Sequence, residues 1–381
     1  MFLFAIPLIY AIPVACLLSI LAYLRTRQRS QKKVATASSG YTTPRSAPEA
    51  KDKKPDWDSV DFSTLKPISE DFDWRKQAPT PYRPWNNGPY HVTMGVKKTS
   101  LDDWVEIDNQ YLDRYRYKRI LFAEHPEETL ATRPGSEEAS FEALELLVDH
   151  LVHRYPSMFE KVPGGIRNLV VNETWDLRRD ADTWKSYHPL QVMGLLTTED
   201  WFILQNEEDG QTRLKGGANC FPAGWKLRER MGLSLWQIHA GNVPQYEQNL
   251  AKSMDRFFLR LRVDSPIMRF NYAIDISPEL FHINSHHNLR LEDLKHPLTL
   301  DHLHLRVERQ FLQRLPKTRG IVFSIRTYIT PITEVTKDRE VAEALQTSIN
   351  TYTDEIASYK NKHLWKDVLG PHLCEVTAKD S

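Results

Sequence analysis

The sequence has few cysteines, no net charge and no glycine-rich phosphate loop, and each shortage excludes a class of protein. Three cysteines occur, at Cys16, Cys220 and Cys374, so no disulfide framework is available and a reducing compartment is indicated. Lys plus Arg and Asp plus Glu are both 50 in 381 residues, so charge gives no reason to expect nucleic-acid binding. Without a glycine-rich loop after a strand or a G-x-S-x-G elbow, a doubly wound nucleotide fold and an α/β-hydrolase are not indicated.

The longest uncharged run lies at the N-terminus, from Phe2 to Leu24. At about 1.5 Å per residue it is long enough to cross a hydrocarbon core of about 30 Å. Five basic residues follow within residues 25–33, so the positive-inside rule places the rest of the chain in the cytosol. We therefore predict a transmembrane signal anchor at residues 1–34; a cleaved signal peptide is the alternative, but its apolar region would be shorter and preceded by basic residues.

Composition divides the remainder into three parts. Residues 35–84 are rich in Ser, Thr, Pro and Lys, which predicts a flexible linker leading into an extended arm. The pattern predicts one folded domain over residues 85–335 and a helical C-terminal extension over residues 336–381.

Periodicity predicts an α+β fold, with strands in an antiparallel set and helices inserted between them. A helix is expected after Ser136, ending near Pro156, and a hairpin over Trp201 to Leu214 that turns at Asp209 and Gly210. Further strands are predicted at 267–274 and 320–328, and further helices at 246–262, 300–315 and 340–360.

Two of the predicted strands carry polar side chains on one face. Alternation places Ser324, Arg326 and Tyr328 together, and it places Arg269 beside Asn271. If these faces line a pocket, the arginine fork suits an anionic ligand group. The alternative is that both faces meet solvent on a half-buried sheet.

The predicted helix 300–315 would bring Arg306 beside Arg309 and Gln310 at helical spacing, with Glu308 able to neutralise either arginine. Such a helix is more typical of an ion-pair lattice than of a catalytic centre.

His239 follows an apolar run, so its imidazole could ligate a haem iron, although a satisfied core histidine also explains it. Cys220 is the other conceivable axial ligand, as a thiolate. Six histidines between Phe281 and Leu305 suggest a metal site, but their spacing matches no metal motif and a polar surface loop is the default interpretation.

Several short phrases, taken together, resemble the haem-dependent oxidative N-demethylase α-subunit family, whose fungal members are called HRQ family proteins. The resemblance covers about Tyr82 to Thr333, in order. It rests on these runs: Trp104-Val105-Glu106-Ile107-Asp108, Glu199-Asp200-Trp201, Phe221-Pro222-Ala223-Gly224-Trp225, Ile238-His239, Arg269-Phe270-Asn271-Tyr272, Leu305-Arg306-Val307-Glu308-Arg309-Gln310 and Ile325-Arg326-Thr327-Tyr328.

The resemblance implies a PAS-like haem-binding domain in which iron of haem b activates dioxygen for removal of an N-methyl group. It implies a separate NAD(P)H-dependent reductase, because this chain has neither a cysteine cluster nor a nucleotide loop. It also implies His239 as axial metal ligand, and Arg269, Arg306 and Arg309 as cofactor-binding residues. The expected catalytic residues are Arg326, Tyr328, Glu199 and Asp200, the last two meeting a protonated amine or else forming a strand-entry pair in solvent.

Two departures from the family pattern qualify the expected substrate. Thr197 and Thr198 precede Glu199, where the family usually has an apolar residue and Gln, and Gly241-Asn242-Val243-Pro244 replaces the usual Pro-Val-Pro. The predicted anchor resembles the tether of microsomal oxygenases. The leading hypothesis is therefore a haem-dependent monooxygenase on the cytosolic face of the endoplasmic reticulum, and the alternatives are a non-catalytic haem or small-ligand sensor and a scaffold that has lost haem.

Overall fold

A computed structural model describes residues 60, 62, 65–85, 88–286 and 289–378 of the chain. The predicted anchor and the first part of the predicted linker lie outside these residues and stay predictions. Within the described ranges, no helix has the length and apolar character needed to cross a bilayer.

A mixed sheet and helix architecture confirms the predicted α+β class. In the described residues a seven-stranded antiparallel sheet has the order β1-β8-β9-β10-β6-β7-β2, and three further strands form a small sheet. The strands of the large sheet are β1 (Lys97–Lys98), β2 (Leu130–Thr132), β6 (Asp200–Asn206), β7 (Thr212–Ala218), β8 (Ile267–Asp275), β9 (His304–Arg314) and β10 (Ile321–Pro331); those of the small sheet are β3 (Phe159–Val162), β4 (Gly165–Asn168) and β5 (Glu173–Asp176).

Helices cover both faces of the large sheet. The α-helices of the described residues are α1 (Tyr111–Glu124), α2 (Pro126–Thr129), α3 (Glu137–Arg154), α4 (Pro189–Leu196), α5 (Leu227–Arg230), α6 (Leu235–His239), α7 (Ala251–Arg260), α8 (Ile332–Val335), α9 (Arg339–Asn350), α10 (Asp354–Tyr359) and α11 (Lys362–Thr377). The helix predicted after Ser136 and the hairpin predicted around Asp209 and Gly210 are confirmed as α3 and as β6 with β7.

The predicted helix at 300–315 is wrong. Residues Leu300–His302 form one short 3-10 turn, and His304–Arg314 is the long strand β9, buried along its whole length. Leu305, Val307 and Phe311 share one face at even spacings of two and four, which fits a strand, whereas the prediction used the helical spacing of the charged residues. The predicted helix 340–360 is divided into α9 and α10, because Thr353 accepts a hydrogen bond from the Ile356 amide and starts a new helix.

β9 lies between β8 and β10 and therefore has neighbours on both edges. Alternation along it creates two chemically different faces. We call the side of Arg306, Glu308 and Gln310 the cavity face, because these side chains line a large cavity. The side of Arg309, with Arg326 and Tyr328 of the neighbouring strand, is the ion-pair face.

The predicted arm already contacts the folded core before the predicted domain boundary at residue 85. Leu65 and Trp74 are buried, and the Trp74 ring lies 6.0 Å from that of Tyr111 on α1. At the other end, Leu345 and Trp365 of the predicted C-terminal extension share a hydrophobic cluster with Leu305 of β9. The domain boundaries drawn from composition stay predictions.

His150 of α3 is expected to make the free energy of unfolding depend on pH. It is fully buried beside Trp104, and its two ring nitrogens have no hydrogen-bond partner among the described residues. Burial lowers the pKa of His150 to about 3, below its ordinary value, so between pH 6.5 and 3 the unfolded chain binds the proton more readily.

We therefore predict that this histidine destabilises the fold as the pH falls from 6.5 towards 3, and that His150→Phe removes the effect. The free energy of unfolding of the variant, relative to the unmodified chain, should rise by up to about 1.4 kcal/mol per pH unit in this window. Urea unfolding at several pH values checks it, and a difference that does not change with pH would contradict it.

Candidate functional site

A cavity of about 1140 Å³ opens on the cavity face of the sheet, between that face, α6, α7 and the loops around residues 222–225 and 282–286. This volume lies slightly above the range, about 300–1,000 Å³, that is usual for small-molecule sites. Its apolar wall comes from strands and helices that the sequence separates widely: Phe202, Leu204, Leu214, Trp225, Leu235, Met254, Phe257, Phe258, Ile267, Leu312, Phe323 and Ile325.

His239 lies in this wall at the last position of α6. Ser234 and Gln237 form a reciprocal cap at the start of the helix, which fixes where its last residue points. The His239 Nδ1 donates a hydrogen bond to the Leu235 carbonyl at 2.7 Å, because a carbonyl can only accept. The remaining nitrogen, Nε2, is then the one with a free lone pair, as in a metal-bound imidazole held by a carbonyl.

The environment of His239 also keeps its ring neutral. Burial lowers the pKa of His239 to about 4, well under its ordinary value, and Arg269 and Arg230 act in the same direction. The ring stacks on Tyr246 at 5.2 Å with an interplanar angle of 20°. A neutral, oriented imidazole is available in the cavity at physiological pH.

The cavity face supplies the charged groups of the wall. Arg269 of β8 donates from Nε to the Met94 carbonyl at 2.9 Å and from Nη1 to Gln310 Oε1 at 3.0 Å. Arg306 of β9 instead donates from its terminal nitrogens to backbone carbonyls of two loops, those of Phe221, Pro222, Glu279 and Leu280. Arg306 thus holds the loops in place, and its Nε has no hydrogen-bond partner among the described residues.

Glu308 and Lys360 also line the cavity, and the sequence interpretation did not select either as a site residue. Glu308 Oε2 accepts hydrogen bonds from Asn271 Nδ2 at 3.3 Å and from Gln310 Nε2 at 2.8 Å. Lys360 donates to the Tyr272 carbonyl, and burial lowers the pKa of Lys360 to about 8, while Glu308 opposes that shift. The strand assignment of β9 was the missing signal for Glu308, since alternation alone places it beside Gln310.

Arg326, Tyr328 and Arg309 lie on the ion-pair face, on the opposite side of the sheet from His239. Arg326 Nη2 contacts Asp108 Oδ2 at 2.7 Å, and each residue is 1% exposed. Burial is the largest single effect and acts to lower the pKa of Arg326, but Asp108, Tyr328 and Glu199 together outweigh it, so the pKa is raised. The network therefore keeps a buried arginine charged.

Glu106 is the centre of the second part of this network. Its Oε2 accepts hydrogen bonds from Tyr328 at 2.8 Å and from Tyr82 at 2.9 Å, and it lies 3.4 Å from Arg309 Nε. Glu106 and Asp108 belong to one of the runs that carry the family resemblance, but neither was predicted as a site residue. Two acids two positions apart in an otherwise apolar phrase would have indicated that both point in one direction.

Glu199 and Asp200 are completely buried at the start of β6, so their interpretation as a strand-entry pair in solvent is wrong. The Asp200 carboxylate accepts hydrogen bonds from the Cys220 and Phe221 amides at 2.9 and 2.8 Å, and it lies 3.5 Å from Lys118 Nζ. Glu199 Oε1 accepts from the Glu106 amide at 3.1 Å. Burial raises the pKa of both carboxyls, Arg326 opposing this for Glu199 and Lys118 for Asp200.

The structure thus brings His239, Arg269 and Arg306 together at the cavity, and it gathers Arg309, Arg326, Tyr328 and Glu199 in the buried network behind the sheet. Asp200 instead contacts Lys118 and the amides of Cys220 and Phe221. Cys220, the alternative thiolate ligand, is buried outside the cavity wall, and burial raises its pKa, so the neutral thiol is favoured. Of the histidines between Phe281 and Leu305, His282 and His286 line the cavity rim near Asp275.

A family model described as "Haem-dependent oxidative N-demethylase, alpha subunit-like" matches residues 95–370, well over half of the chain. The chain therefore belongs to this family. The cavity fits the haem in that description on two observations: its volume exceeds what a drug-sized ligand needs, and His239 lines it with Nδ1 bound to the Leu235 carbonyl, which leaves Nε2 as the nitrogen able to bind iron. The match includes both faces of the sheet.

The buried pair on the ion-pair face predicts a large stability effect. Asp108→Ala should cost about 3–5 kcal/mol, because it leaves Arg326 as an uncompensated buried charge. Lys337→Ala is the matched control: its pair with Glu334 has the same separation, 2.7 Å, but the side chains are 69% and 52% exposed, so about 0–1 kcal/mol is expected. Urea unfolding of both variants measures the difference, and similar small losses would show that the buried pair is not needed.

Proposed function

We propose that this chain is a haem-dependent monooxygenase that carries out oxidative N-demethylation, or a related oxidation, of a small organic amine. The family description supports the haem and the oxidative chemistry. The single observation that carries the proposal for this chain is the hydrogen bond from His239 to the Leu235 carbonyl, which leaves one ring nitrogen free inside a large cavity.

The residues that would hold the cofactor, which we take to be haem b, follow from the wall of the cavity. His239 Nε2 would bind the iron, and the apolar side chains from α7, β6 and β10 would contact the macrocycle. Arg269 would meet a propionate with its remaining donors. The terminal nitrogens of Arg306 bind loop carbonyls and its Nε is buried, so its predicted cofactor contact stays a prediction. Arg309 lies on the ion-pair face, so a propionate contact is not supported by its position. When bound, haem supplies an iron centre that activates dioxygen after reduction.

We propose that Glu308 binds the amino group of the substrate. Its carboxylate is held by Asn271 and Gln310, yet it lines the cavity, so a protonated amine could approach it. A charge-assisted hydrogen bond to the ammonium would orient the N-methyl group, and the apolar wall would exclude water. Formaldehyde and the demethylated amine are the products expected of such a reaction.

The expected catalytic role of Arg326, Tyr328, Glu199 and Asp200 stays a prediction. Their contacts support a positioning role instead, because Arg326 and Tyr328 tie β10 to the segment of Glu106 and Asp108, and Asp200 holds the two amides before the loop at residues 222–225. That loop forms part of the cavity wall.

The wider setting is proposed from the sequence. A PAS-like domain is consistent with an antiparallel sheet that has a ligand-sized cavity on one face. A separate NAD(P)H-dependent reductase and dioxygen are the proposed partners. The uncharged run at Phe2 to Leu24 supports a single-pass membrane anchor in the endoplasmic reticulum, with the domain in the cytosol.

A non-catalytic haem sensor is the second candidate. The observation that favours it is that none of the four predicted catalytic side chains lines the cavity in the described structure. Tight gas binding without turnover, with a competent reductase present, would support it.

The first predicted outcome concerns the ligand. The full chain, expressed with added haem precursor, should show a Soret band that shifts on reduction with dithionite and again with carbon monoxide. His239→Ala should lose or strongly alter this band, whereas the exposed His296→Ala should not. Circular dichroism of each variant controls for folding, and a folded His239→Ala protein with an unchanged spectrum would remove the ligand assignment.

The second predicted outcome concerns Glu308. With a reductase, NADPH and a series of N-methylamines, Glu308→Gln should raise KM for the preferred amine at least tenfold while the haem spectrum stays unchanged, because a neutral amide attracts the ammonium less. Formaldehyde release measures the rate, and the exposed Glu334→Gln is the matched control. An unchanged KM would remove Glu308 from substrate binding.

A further inference from the structure

We propose that Asp275, His282 and His286 bind one divalent transition-metal ion at the rim of the cavity. Each residue offers one ligand atom, and these atoms all lie within 4.8 Å of one another. The two imidazole rings are 4.1 Å apart at their centroids, and His286 Nδ1 lies 3.7 Å from Asp275 Oδ1. This site is separate from His239 and does not depend on the proposed oxygenase activity.

The fold fixes two of the three ligands from different directions. Asp275 is the last residue of β8, where it pairs with His304 of β9, and its Oδ1 also accepts a hydrogen bond from the Ile276 amide at 2.8 Å. His282 is held by a bridge to Ala223, and its carbonyl accepts from the Gly224 amide at 2.7 Å.

Gly224 allows this loop to lie close to the segment that carries His286. Its φ is +76°, and a Cβ atom there would lie 3.3 Å from the Ser285 Cα. A larger residue would therefore push Ser285 away and would be strained in this conformation. The close approach keeps the His282 to His286 loop against the end of the sheet.

Among the three groups, Asp275 has one hydrogen bond, from the Ile276 amide to Oδ1, and a carboxylate oxygen can accept a hydrogen bond and bind an ion at the same time. The 3.7 Å between His286 and Asp275 is too long for a hydrogen bond, and the two rings make no hydrogen bond to any described residue. A bound ion would draw the ligand atoms to at most about 4.2 Å apart, twice a bond of about 2.1 Å, so a modest side-chain adjustment suffices. The nearby Arg306 charge opposes a cation, but its terminal nitrogens point to loop carbonyls and the Asp275 carboxylate offsets it.

Two imidazoles and one carboxylate favour Zn²⁺ or Fe²⁺ over Mg²⁺ or Ca²⁺, which prefer oxygen ligands alone. Three protein ligands leave at least one position open. All three residues line the cavity, so the open position would face it and could take water or an anionic group. The ion would also join the loop of residues 282–286 to the end of β8.

The test uses the full chain, carrying a purification tag without histidines and treated with chelator, and titrates Zn²⁺ alone by calorimetry while the Soret band is followed. One equivalent of Zn²⁺ should bind without a change in the haem spectrum. His282→Ala, His286→Ala and Asp275→Asn should each weaken this binding at least tenfold, whereas the exposed His296→Ala should bind as the unmodified chain does.

Two results would overturn the site. One is Zn²⁺ affinity that survives in a folded protein carrying both His282→Ala and His286→Ala. The other is a loss of the Soret band in His282→Ala or His286→Ala with Zn²⁺ binding unchanged, which would assign these histidines to the haem. Circular dichroism identifies misfolded variants, and His282→Gln then replaces the alanine variant, since it keeps the side-chain volume and should still lose Zn²⁺ binding.

Discussion

The central constraint on this structure is that β9, an interior strand of the large sheet, buries charged side chains on both of its faces. All eleven residues of the strand are buried, and Arg306, Glu308, Arg309 and Arg314 are among them. A buried charge is costly unless partners surround it, so each face must supply its own. Carbonyls of two loops meet Arg306, amides meet Glu308, and Glu106 meets Arg309. The loops that contact Arg306 and the segment that contains Glu106 supply these partners.

The two faces of the sheet therefore have different roles: one stabilises the fold and the other lines the cavity. On the ion-pair face, acids, phenols and arginines contact one another, and a pocket of about 260 Å³ lies beside Arg309. On the cavity face, apolar side chains of the sheet, of α6 and of α7 together enclose the cavity, and the few polar groups are oriented by their neighbours. The ion-pair network on one face supports the sheet rigidly, and the cavity lies on the other face. A binding site keeps its geometry when it is built on such a rigid support.

Local pattern was sufficient for much of the fold and for part of the site. The apolar stripe of α3, the Asp209-Gly210 turn and the alternation of β8 and β10 depend on short-range spacing. The family phrases predicted His239 and Arg269 as haem-binding residues, and both line the cavity. β9 was mistaken for a helix because its charged residues also occur at a spacing of three and four. That error hid Glu308, and it hid the fact that Arg306 and Arg309 point in opposite directions.

What the sequence could not provide was the pairing of distant segments. Arg326 and Asp108 are 218 positions apart, and nothing local to either residue indicates the other. The same holds for Lys360, whose burial depends on the C-terminal helices reaching the edge of β8 near Tyr272. Glu199 and Asp200 looked like a polar entry to a strand, because their burial depends on Lys118 and on amides that come from other parts of the chain.

The strict alternation of β9 has a consequence for how this protein can vary in length. Gaining or losing one residue within the strand would exchange its two sides, sending Arg309 into the chamber and Glu308 into the acidic network behind it. Both environments would then hold the wrong charge at once, and no single compensating substitution could repair them. Changes in length should therefore be confined to surface turns such as the one at Gly210, whereas the number of residues in β9 should stay constant.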